Sequence, residues 1–331
     1  WIYEIGLTPN RADAMSHYGV ARDLLAALQF RGEINPNKKL LPLPLINQIK
    51  YSSEHNVSVE ILDTDKCLRY SGIVIKEIKV EESPKWLQKK LESIGVKTIN
   101  NIVDITNFIL HDLGQPLHAF DADKIVGQKV TIRNAKKAEK FITLDGIERK
   151  LDPEDLMICN DDEPMCIAGV FGGLNSGIVN STKNIFLESA YFDPVSVRKT
   201  SKRHGLSTDA SFRFERGVDP NITKYALKYA AMLIAELSNG EISSDPRDEY
   251  ATKIEDKQVF LSFENTNNLI GEEIPKETIK RILSSLEIKV NNVTESGLGL
   301  TIPSYRNDVN REVDVIEEIL RVYGYNNIGT K

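Results

Sequence analysis

Strand-like and helix-like segments interleave along this chain without the regular strand–helix–strand repeat of a parallel sheet. Alternating apolar residues predict strands at Val57–Ile61 and Tyr70–Val80. Apolar residues spaced three and four apart predict helices at Ile102–Leu113 and Thr223–Leu237. The pattern therefore predicts an α+β fold in several domains, with mixed or antiparallel sheets and packed helices.

The composition is that of an ordinary globular protein, with 41% hydrophobic and 27% charged residues among 331. A net charge of −6 argues against a protein that coats nucleic acid along its whole surface. Cys67, Cys159 and Cys166 lack the spacing of a zinc site, so we expect reduced thiols in the core. With no long apolar run and no signal-peptide pattern, we predict a cytoplasmic protein without a membrane partner.

Three segments suggest where the chain divides. Alternation in Trp1–Leu7 predicts a strand, and the first residue is not Met, so we expect a piece of a longer polypeptide. The proline-rich Leu41–Leu45 cannot continue a helix and predicts an extended linker. The polar segment 246–256 predicts a second domain boundary.

A basic stretch, Arg198–Pro220, stands out in this acidic chain. Cations surround the small polar segment Gly205–Ser211, an arrangement that suits a phosphate-bearing substrate whose reactive end enters a tight pocket. From charge alone, a solvated basic loop explains the stretch as well. Arg213 and Arg216 can instead pair with nearby acids such as Glu215 and Asp219.

Three further features lie between residues 115 and 190. Gly172 and Gly173 either let the backbone approach a ligand closely or form a hairpin turn. Glu188 interrupts an apolar strand, where a carboxylate is either solvent-facing or buried and ready to form a hydrogen bond. His118 follows a turn fixed by Pro116, and no nearby Ser or Cys nucleophile accompanies it, so a structural role competes with a catalytic one.

A cluster of acids lies near the C-terminal end. Asp314, Glu317 and Glu318 share one face of a predicted helix, Glu312–Tyr323, and Asp308 precedes it by one turn. Oxygen ligands at this density suit Mg²⁺ better than zinc. A solvated acidic first turn, favoured by the helix dipole, is the competing interpretation.

Taken together, six motifs resemble the β subunit of bacterial phenylalanyl-tRNA synthetase, in the family's order and over nearly the whole chain. They are LTPNRADAMSHYGVARDLLA, DITNFILHDLGQPLHAFD, AGVFGGLNSG, LESAYFDP, RKTSKRHGLSTDASFRFERGVDP and PSYRNDVNREVDVIEEILRVYGYNNI. The resemblance implies the end of the family's first domain at residues 1–50, a B3/B4 editing module at 57–250 and a small α+β B5 domain at 255–328. An upstream tRNA-binding domain and the downstream domains would lie outside this stretch.

The resemblance also implies an editing site that hydrolyses tyrosine wrongly esterified to phenylalanine tRNA. Glu188 matches the family's carboxylate for the tyrosine hydroxyl, and the positions lining the ester pocket are His118, Gly172, Thr208 and Ala210. Lys97 stands where close relatives carry an arginine near the tRNA 3′ end. The lysine keeps the positive charge but cannot form the bidentate hydrogen bonds of an arginine. The candidates for holding the acceptor end are Arg198, Lys199, Lys202 and Arg203.

For the acidic cluster, the resemblance implies a Mg²⁺ site shared with the α subunit, with ligands Asp308, Asp314, Glu317 and Glu318. The full (αβ)₂ ligase would use ATP and phenylalanine, whereas this stretch would carry only the ester hydrolysis. Two other interpretations stay open. One is a scaffold that grips tRNA or the α subunit without catalysis; the other is a free-standing Mg²⁺-dependent enzyme centred on the acidic cluster.

Overall fold

The protein is described by a computed structural model over residues 1–35, 38–40, 43–44, 46, 49 and 57–329. The helices of these residues are α1 (His17–Phe30), α2 (Lys85–Glu92), α3 (Asn101–Leu113), α4 (Pro194–His204), α5 (Asp209–Phe214), α6 (Thr223–Ser238), α7 (Phe263–Ile270), α8 (Lys276–Ser285) and α9 (Glu312–Tyr323). The strands are β1 (Ser58–Ile61), β2 (Cys67–Lys76), β3 (Leu117–Asp121), β4 (Lys129–Asn134), β5 (Lys140–Ile142), β6 (Glu148–Lys150), β7 (Leu156–Cys159), β8 (Pro164–Ile167), β9 (Phe171–Gly172), β10 (Ile185–Phe192), β11 (Glu241–Ile242), β12 (Arg247–Tyr250), β13 (Lys257–Ser262), β14 (Lys289–Val293) and β15 (Gly297–Ile302). This content confirms the predicted α+β class.

The chain forms two compact units. The first comprises Trp1–Gly6 and Pro44–Lys253, and the second comprises Leu7–Leu43 and Ile254–Lys331. This division differs from the expected one, in which residues 1–50 stood apart from the segment 255–328. The physical reason lies in the core of the second unit, where Ala26 of α1 is fully buried among side chains from beyond residue 258.

Two sheets build the first unit. One has the strand order β1-β4-β7-β8-β9, with β1 and β4 parallel and the other pairs antiparallel. The other has the order β11-β2-β10-β3, is antiparallel throughout, and adds β12 alongside β2. A separate hairpin joins β5 and β6.

The central strand β10 is buried along its whole length. Helices α3 and α6 pack against each other, α6 packs against β2 and β10, and Ser189 of β10 donates a hydrogen bond to the carbonyl of Thr223 at the start of α6. Asn100 caps the first turn of α3 by accepting from Ile102 N and Val103 N, and Gly114 ends the helix with φ of 80°. Glu188 therefore lies in a buried strand, which excludes the solvent-facing alternative.

The second unit packs helices on a small antiparallel sheet of order β13-β15-β14. Its apolar core includes Leu261 and Leu300 from the sheet and Ile279, Ile316 and Ile319 from the helices. The last helix has the bounds that the sequence predicts, Glu312–Tyr323, because its apolar face meets this core.

Other sequence predictions have mixed outcomes. The strand at Trp1–Leu7 is wrong, since no residue of this segment has strand structure and all seven are exposed. Alternation alone does not make a strand unless another strand supplies hydrogen bonds. Most of the linker Leu41–Leu45 and of the boundary near 50–57 lies outside the described residues. In the described part, no helix has the length and apolar character needed to span a bilayer.

Candidate functional site

A polar cluster lies on the face of the second sheet opposite to the face that packs against α6. Glu188 of β10 lies directly across from His118 of β3 and, on its other side, from Gly72 of β2. Side chains directly opposed in neighbouring strands share a face, so Glu188 and His118 point the same way. With Tyr70 and Gly172, they form what we call the His118 cluster.

Glu188 is buried and only 5% exposed, and its Oε2 accepts a hydrogen bond of 2.9 Å from the hydroxyl of Tyr70. Burial raises the pKa of Glu188 to about 8, although the Tyr70 hydrogen bond acts to lower it. The carboxyl is therefore mostly protonated at neutral pH. A neutral carboxyl can donate one hydrogen bond as well as accept one.

His118 is half-buried as a residue, but its Nε2 is shielded from solvent and has no hydrogen-bond partner among the described residues. Burial lowers the pKa of His118 to about 4, so the ring stays neutral at physiological pH. Its ring packs edge-on against Phe120, with centroids 4.5 Å apart. A buried nitrogen without a partner is uncommon in proteins and often marks a position for water or a ligand.

Gly172 faces this histidine from the other sheet. A Cβ placed on Gly172 would lie 3.1 Å from His118 Cε1 and 2.9 Å from Leu144 Cδ1. Gly173 is confined differently, because a Cβ there would meet the carbonyl of Met165 at 2.6 Å. The close approach of the backbone to His118 explains why residue 172 is a glycine. The turn between β8 and β9 contains a different glycine, Gly169, with φ of 69°.

Thr208 is the N-cap of α5, and its Oγ1 accepts from Ser211 N while donating to the carbonyl of Val170 at 3.0 Å. Val170 is two residues before Gly172, so this hydrogen bond connects α5 to the strand that faces His118. Ala210 lies half-buried in the first turn of the same helix. Thr208 therefore has a clear structural role beside any contact with substrate.

The predicted tRNA-binding cations differ in their surroundings. Arg198 and Lys202 are exposed on α4, and Lys97 is exposed between α2 and α3. Lys199 is exposed too, with Glu154 at 3.9 Å. Arg203 instead donates to the buried carboxylate of Asp155, an interaction that ties it to the protein. The role of these residues in tRNA binding stays a prediction.

The remaining cations of the basic stretch pair with acids, as the competing interpretation expects. Arg216 Nη1 lies 2.5 Å from Glu215, which confirms that pairing. Arg213 Nη1 lies 3.4 Å from Asp209 Oδ1, so Arg213 also has an acid beside it. The stretch is therefore neither a uniform loop nor a uniform basic patch, since it ends α4 and forms α5.

One cavity of the first unit comes close to this region without including its polar groups. It measures about 240 Å³ and contains Gly173, Leu174 and Ser176 in its wall, but neither His118 nor Glu188. The second unit has a cavity of about 620 Å³, bordered by Tyr18, Arg22, Phe30 and Arg281 among others. Volume alone does not locate the polar cluster.

The predicted metal ligands are not arranged as a metal site. Both oxygens of Asp308 accept from Arg306, and both oxygens of Glu318 accept from Arg321, one of them also from Arg306 at 2.6 Å. Asp314 accepts backbone N–H groups at the start of α9, and Glu317 is exposed. Among the residues that the structure describes, no three His, Cys, Asp or Glu side chains are placed to hold a metal ion. These four residues do not fit Mg²⁺ as they stand.

Arginines fill the space between these acids and connect them to the earlier part of the second unit. Arg321 forms an ion pair with Asp23 of α1 at 2.7 Å, and Asp23 also accepts a hydrogen bond from Arg11. Arg11 pairs in turn with Asp13, which lies 3.9 Å from Arg306. The alternating charges close a ring, which we call the arginine ring: Arg11, Asp13, Asp23, Arg306, Glu318 and Arg321. Burial alone would raise the pKa of Glu318, but hydrogen bonds from Arg321 and Arg306 outweigh it and hold the pKa at about 2.

The sequence reasoning missed two residues that hold the buried carboxyl groups of these clusters. Tyr70 lies in a correctly predicted strand, but its partner Glu188 is 118 residues away and only the strand pairing brings them together. Arg306 lies two residues before Asp308 in the acidic motif, and a cation amid so many acids was a signal that the acids are paired.

The fold and the polar cluster define the class of protein. The chain belongs to the B3/4 domain family, whose model matches residues 66–239, and the tRNA synthetase B5 domain model matches residues 259–325. The His118 cluster lies within the first match, and the acidic C-terminal motif within the second.

Relatives over the whole chain identify the type of B3/4 protein that it resembles. The phenylalanine–tRNA ligase beta subunits of Bacteroides fragilis (strain YCH46) and Porphyromonas gingivalis are 53% and 50% identical, over 99% and 98% of this chain, and the chain covers 40% and 39% of their length. That of Fusobacterium nucleatum is 42% identical over 100% of this chain and 40% of its own length. These relatives confirm the resemblance drawn from the six motifs, and the chain spans about 40% of the length of the relatives it matches.

A solved structure is more distant. The N-terminal fragment of the phenylalanyl-tRNA synthetase beta subunit from Pyrococcus horikoshii is 18% identical, with a TM-score of 0.44 over 96% of this chain and 85% of that chain. At this distance the likeness adds nothing to the assignment of residues.

Proposed function

We propose that the B3/4 part of this chain hydrolyses tyrosine wrongly esterified to phenylalanine tRNA. The observation that carries the proposal is the His118 cluster, in which a buried, mostly neutral carboxyl lies across from a neutral histidine whose Nε2 has no partner among the described residues. Buried polar groups of this kind cost stability unless a ligand satisfies them. A scaffold alone gains nothing from them.

The cluster suits selection of a hydroxyl. A pocket that accepts phenylalanine rejects an added hydroxyl by only about 10²-fold, so a synthetase for phenylalanine needs a second site. A site that hydrogen-bonds the hydroxyl rejects the analogue without it by about 10⁴-fold, because its own polar group is then left unpaired. Glu188 supplies such a group: its Oε1 has no partner among the described residues and reaches solvent, and bound phenylalanine would cover this oxygen without offering it a hydrogen bond.

Hydrolysis of an ester needs only a positioned water and a place for the developing charge. Water adds to the ester carbonyl, the bond to the ribose oxygen breaks, and that oxygen leaves with a proton as free tyrosine is released. His118 Nε2 is the buried polar atom available to hold the water, and its neutral form can accept a proton from it. The backbone beside Gly172 can come close to the ester because no Cβ stands between it and His118.

The test is a deacylation assay on the assembled synthetase, with tyrosyl-tRNA and phenylalanyl-tRNA as substrates. We expect the wild type to hydrolyse the tyrosyl ester preferentially and Glu188→Ala to lose most of that preference, by about 10²-fold or more. Glu236→Ala, which removes an exposed carboxylate from α6, is the matched control and should behave as wild type. An unchanged preference in Glu188→Ala would show that Glu188 does not select the hydroxyl and would favour the scaffold interpretation.

For the whole protein, we propose the β subunit of an (αβ)₂ phenylalanine–tRNA ligase in the cytoplasm. In this proposal the partners are the α subunit and the acceptor end of phenylalanine tRNA, and amino-acid activation with ATP and Mg²⁺ takes place outside this chain. The exposed cations Lys97, Arg198, Lys199 and Lys202 are the residues we propose for contact with tRNA. The free-standing Mg²⁺ enzyme is not favoured, because the acids on which it rests are held by arginines.

A further inference from the structure

Tyr70 is the residue that holds the carboxyl of Glu188. It lies in β2, is 0% exposed, and donates to Glu188 Oε2 at 2.9 Å. Among the described residues, Tyr70 is the only hydrogen-bond partner of this carboxyl, and Oε1 receives none. One oxygen is therefore fixed by the protein, and the other is free for a ligand.

The strand register places Tyr70 and Glu188 on one face of the sheet. Tyr70 precedes Gly72 by two residues in β2, so it lies on the same face as Glu188, diagonally across from it. The ring of Phe186 occupies the space above Gly72, where a Cβ would meet it at 2.1 Å. Phe186 precedes Glu188 by two residues in β10, so its ring lies on the same face of the sheet as Tyr70 and Glu188.

The titratable groups that face Glu188 come from β2 and β3 of the same sheet and from β8 of the other sheet. They are Tyr70 and Cys67 from β2, His118 from β3 and Cys166 from β8. Burial raises the pKa of both thiols, and burial lowers the pKa of the histidine, so all of these groups are uncharged near neutral pH. The Tyr70 hydroxyl is therefore the dominant polar influence on the carboxyl.

We propose that Tyr70 is a positioning residue for hydroxyl selection: by donating to Oε2 of Glu188, it leaves Oε1 as the oxygen that meets the substrate hydroxyl. The proposal rests on the proposed function and adds a specificity residue to it. Tyr70 acts through Glu188 and is not expected to touch the substrate itself.

The chemistry of a neutral carboxyl explains how this arrangement discriminates. The oxygen that accepts from Tyr70 is the carbonyl oxygen, so the carboxyl proton lies on Oε1. Oε1 then donates to the phenol oxygen of a tyrosyl ester. A phenylalanyl ester has no acceptor at that position, so when it binds it removes water from this O–H donor and leaves the donor unpaired.

The test is Tyr70→Phe, which removes only the hydroxyl and keeps the ring that packs in the sheet. In the assembled synthetase, we expect the ratio of kcat/KM for tyrosyl-tRNA over phenylalanyl-tRNA hydrolysis to fall about tenfold, the effect of one buried hydrogen bond. The pH at which this ratio changes as Glu188 ionises should also rise, because the hydrogen bond that lowers the pKa of Glu188 is gone. A hydrogen bond that served only the fold would slow the hydrolysis of both esters alike and leave their ratio unchanged.

Tyr191→Phe is the matched control. Tyr191 is also buried in the second sheet, at 8% exposure, but it lies on the opposite face of β10 from Glu188. It should leave both the ratio and the pH midpoint unchanged. In a Glu188→Ala background, Tyr70→Phe should have no further effect on the ratio, because its influence passes through the missing carboxyl.

A carbon-NMR titration of the Glu188 carboxyl, in wild type and Tyr70→Phe, separates this proposal from the proposed function. A higher Glu188 midpoint in Tyr70→Phe shows that the Tyr70 hydrogen bond acts on this carboxyl. If the wild type hydrolyses neither ester, the proposed function is overturned, and the inference that rests on it is overturned too. A ratio within about twofold of wild type, or an unmoved midpoint, would overturn the inference while leaving the editing proposal intact.

Discussion

Glu188 and Glu318 are equally buried, at 5% and 4% exposure, yet their chemistry is opposite. Burial raises the pKa of Glu188 to about 8, whereas hydrogen bonds from Arg321 and Arg306 overcome burial and hold the pKa of Glu318 at about 2. The difference lies in the partners. Glu318 has two guanidinium groups in contact, and Glu188 has one neutral hydroxyl.

The contrast extends to the clusters around the two glutamates. In the arginine ring, each charge has an opposite charge beside it, and the ring joins α1 to α9 within the second unit. In the His118 cluster, His118 Nε2 and Glu188 Oε1 have no hydrogen-bond partner among the described residues. A fully paired cluster is what a scaffold needs, and unpaired polar atoms are what a binding site offers. From the motif resemblance alone, both clusters would be assigned a functional role.

The largest expected effect concerns Arg306. Replacing it by Met keeps the apolar stem but leaves Asp308 and Glu318 short of a buried cation, so we expect a loss of about 3–5 kcal/mol in the free energy of unfolding. Urea unfolding of wild type and variant measures it. Arg311→Met is the control, because the side chain of Arg311 is 75% exposed and its pairing with Asp314 should contribute little. Equal effects in the two variants would mean that the ring does not stabilise the fold.

The next largest effect is expected for Glu188→Gln, which should change how the free energy of unfolding depends on pH. The folded-state pKa of Glu188, about 8, lies above its ordinary value of 4.5, so the folded protein holds a proton that the unfolded chain releases between these values. The wild type should therefore lose stability as pH rises through that range, whereas the glutamine side chain of the variant has no proton to lose. We expect the variant to gain about 4 kcal/mol relative to wild type between about pH 5 and about pH 9, measured by urea unfolding. A constant difference across that range would show that Glu188 is ionised throughout.

How much of this was predictable differs between local and long-range features. The bounds of α3, α6 and α9 follow from apolar spacing and from their ends at Gly114, Asn239 and Gly324, because a helix is decided by neighbours in sequence. The strand predicted at Trp1–Leu7 failed, because a strand also needs a partner. The attachment of Leu7–Leu43 to the B5 region depends on contacts across more than 200 residues, as between Asp23 and Arg321.

The candidate site was also predictable only in part, because motifs show which residues matter but not which distant side chains contact them. The motifs single out His118, Gly172 and Glu188, and the structure brings these three together. Spacing within the motif also predicted that Asp308 and Glu318 are near each other, but not which cation lies between them. That Arg306 fills this position is a matter of side-chain packing, which no pattern of acids reveals.

Gly172→Ala tests the close approach in the His118 cluster. The added Cβ would lie 2.9 Å from Leu144 Cδ1 and 3.1 Å from His118 Cε1, and Leu144 is exposed enough to turn away. The histidine must then shift, and we expect a cost of about 1 kcal/mol in unfolding together with a larger loss in tyrosyl-tRNA hydrolysis. Gly177→Ala is the control, since its Cβ would have Leu144 at an ordinary 3.5 Å. If both variants hydrolyse the ester like wild type, the position of His118 is not critical.

The smallest effect on stability, and the sharpest contrast with the arginine ring, is expected for His118→Phe. The ring that packs against Phe120 is kept, and the buried Nε2 without a partner is removed. Because an unpaired buried nitrogen destabilises the fold, we expect the free energy of unfolding to stay the same or rise by up to about 1 kcal/mol, while tyrosyl-tRNA hydrolysis falls. Urea unfolding and deacylation on the same variant measure the two quantities. A loss of stability comparable to that of Arg306→Met would show that His118 belongs to the scaffold, and the distinction between the two clusters would fail.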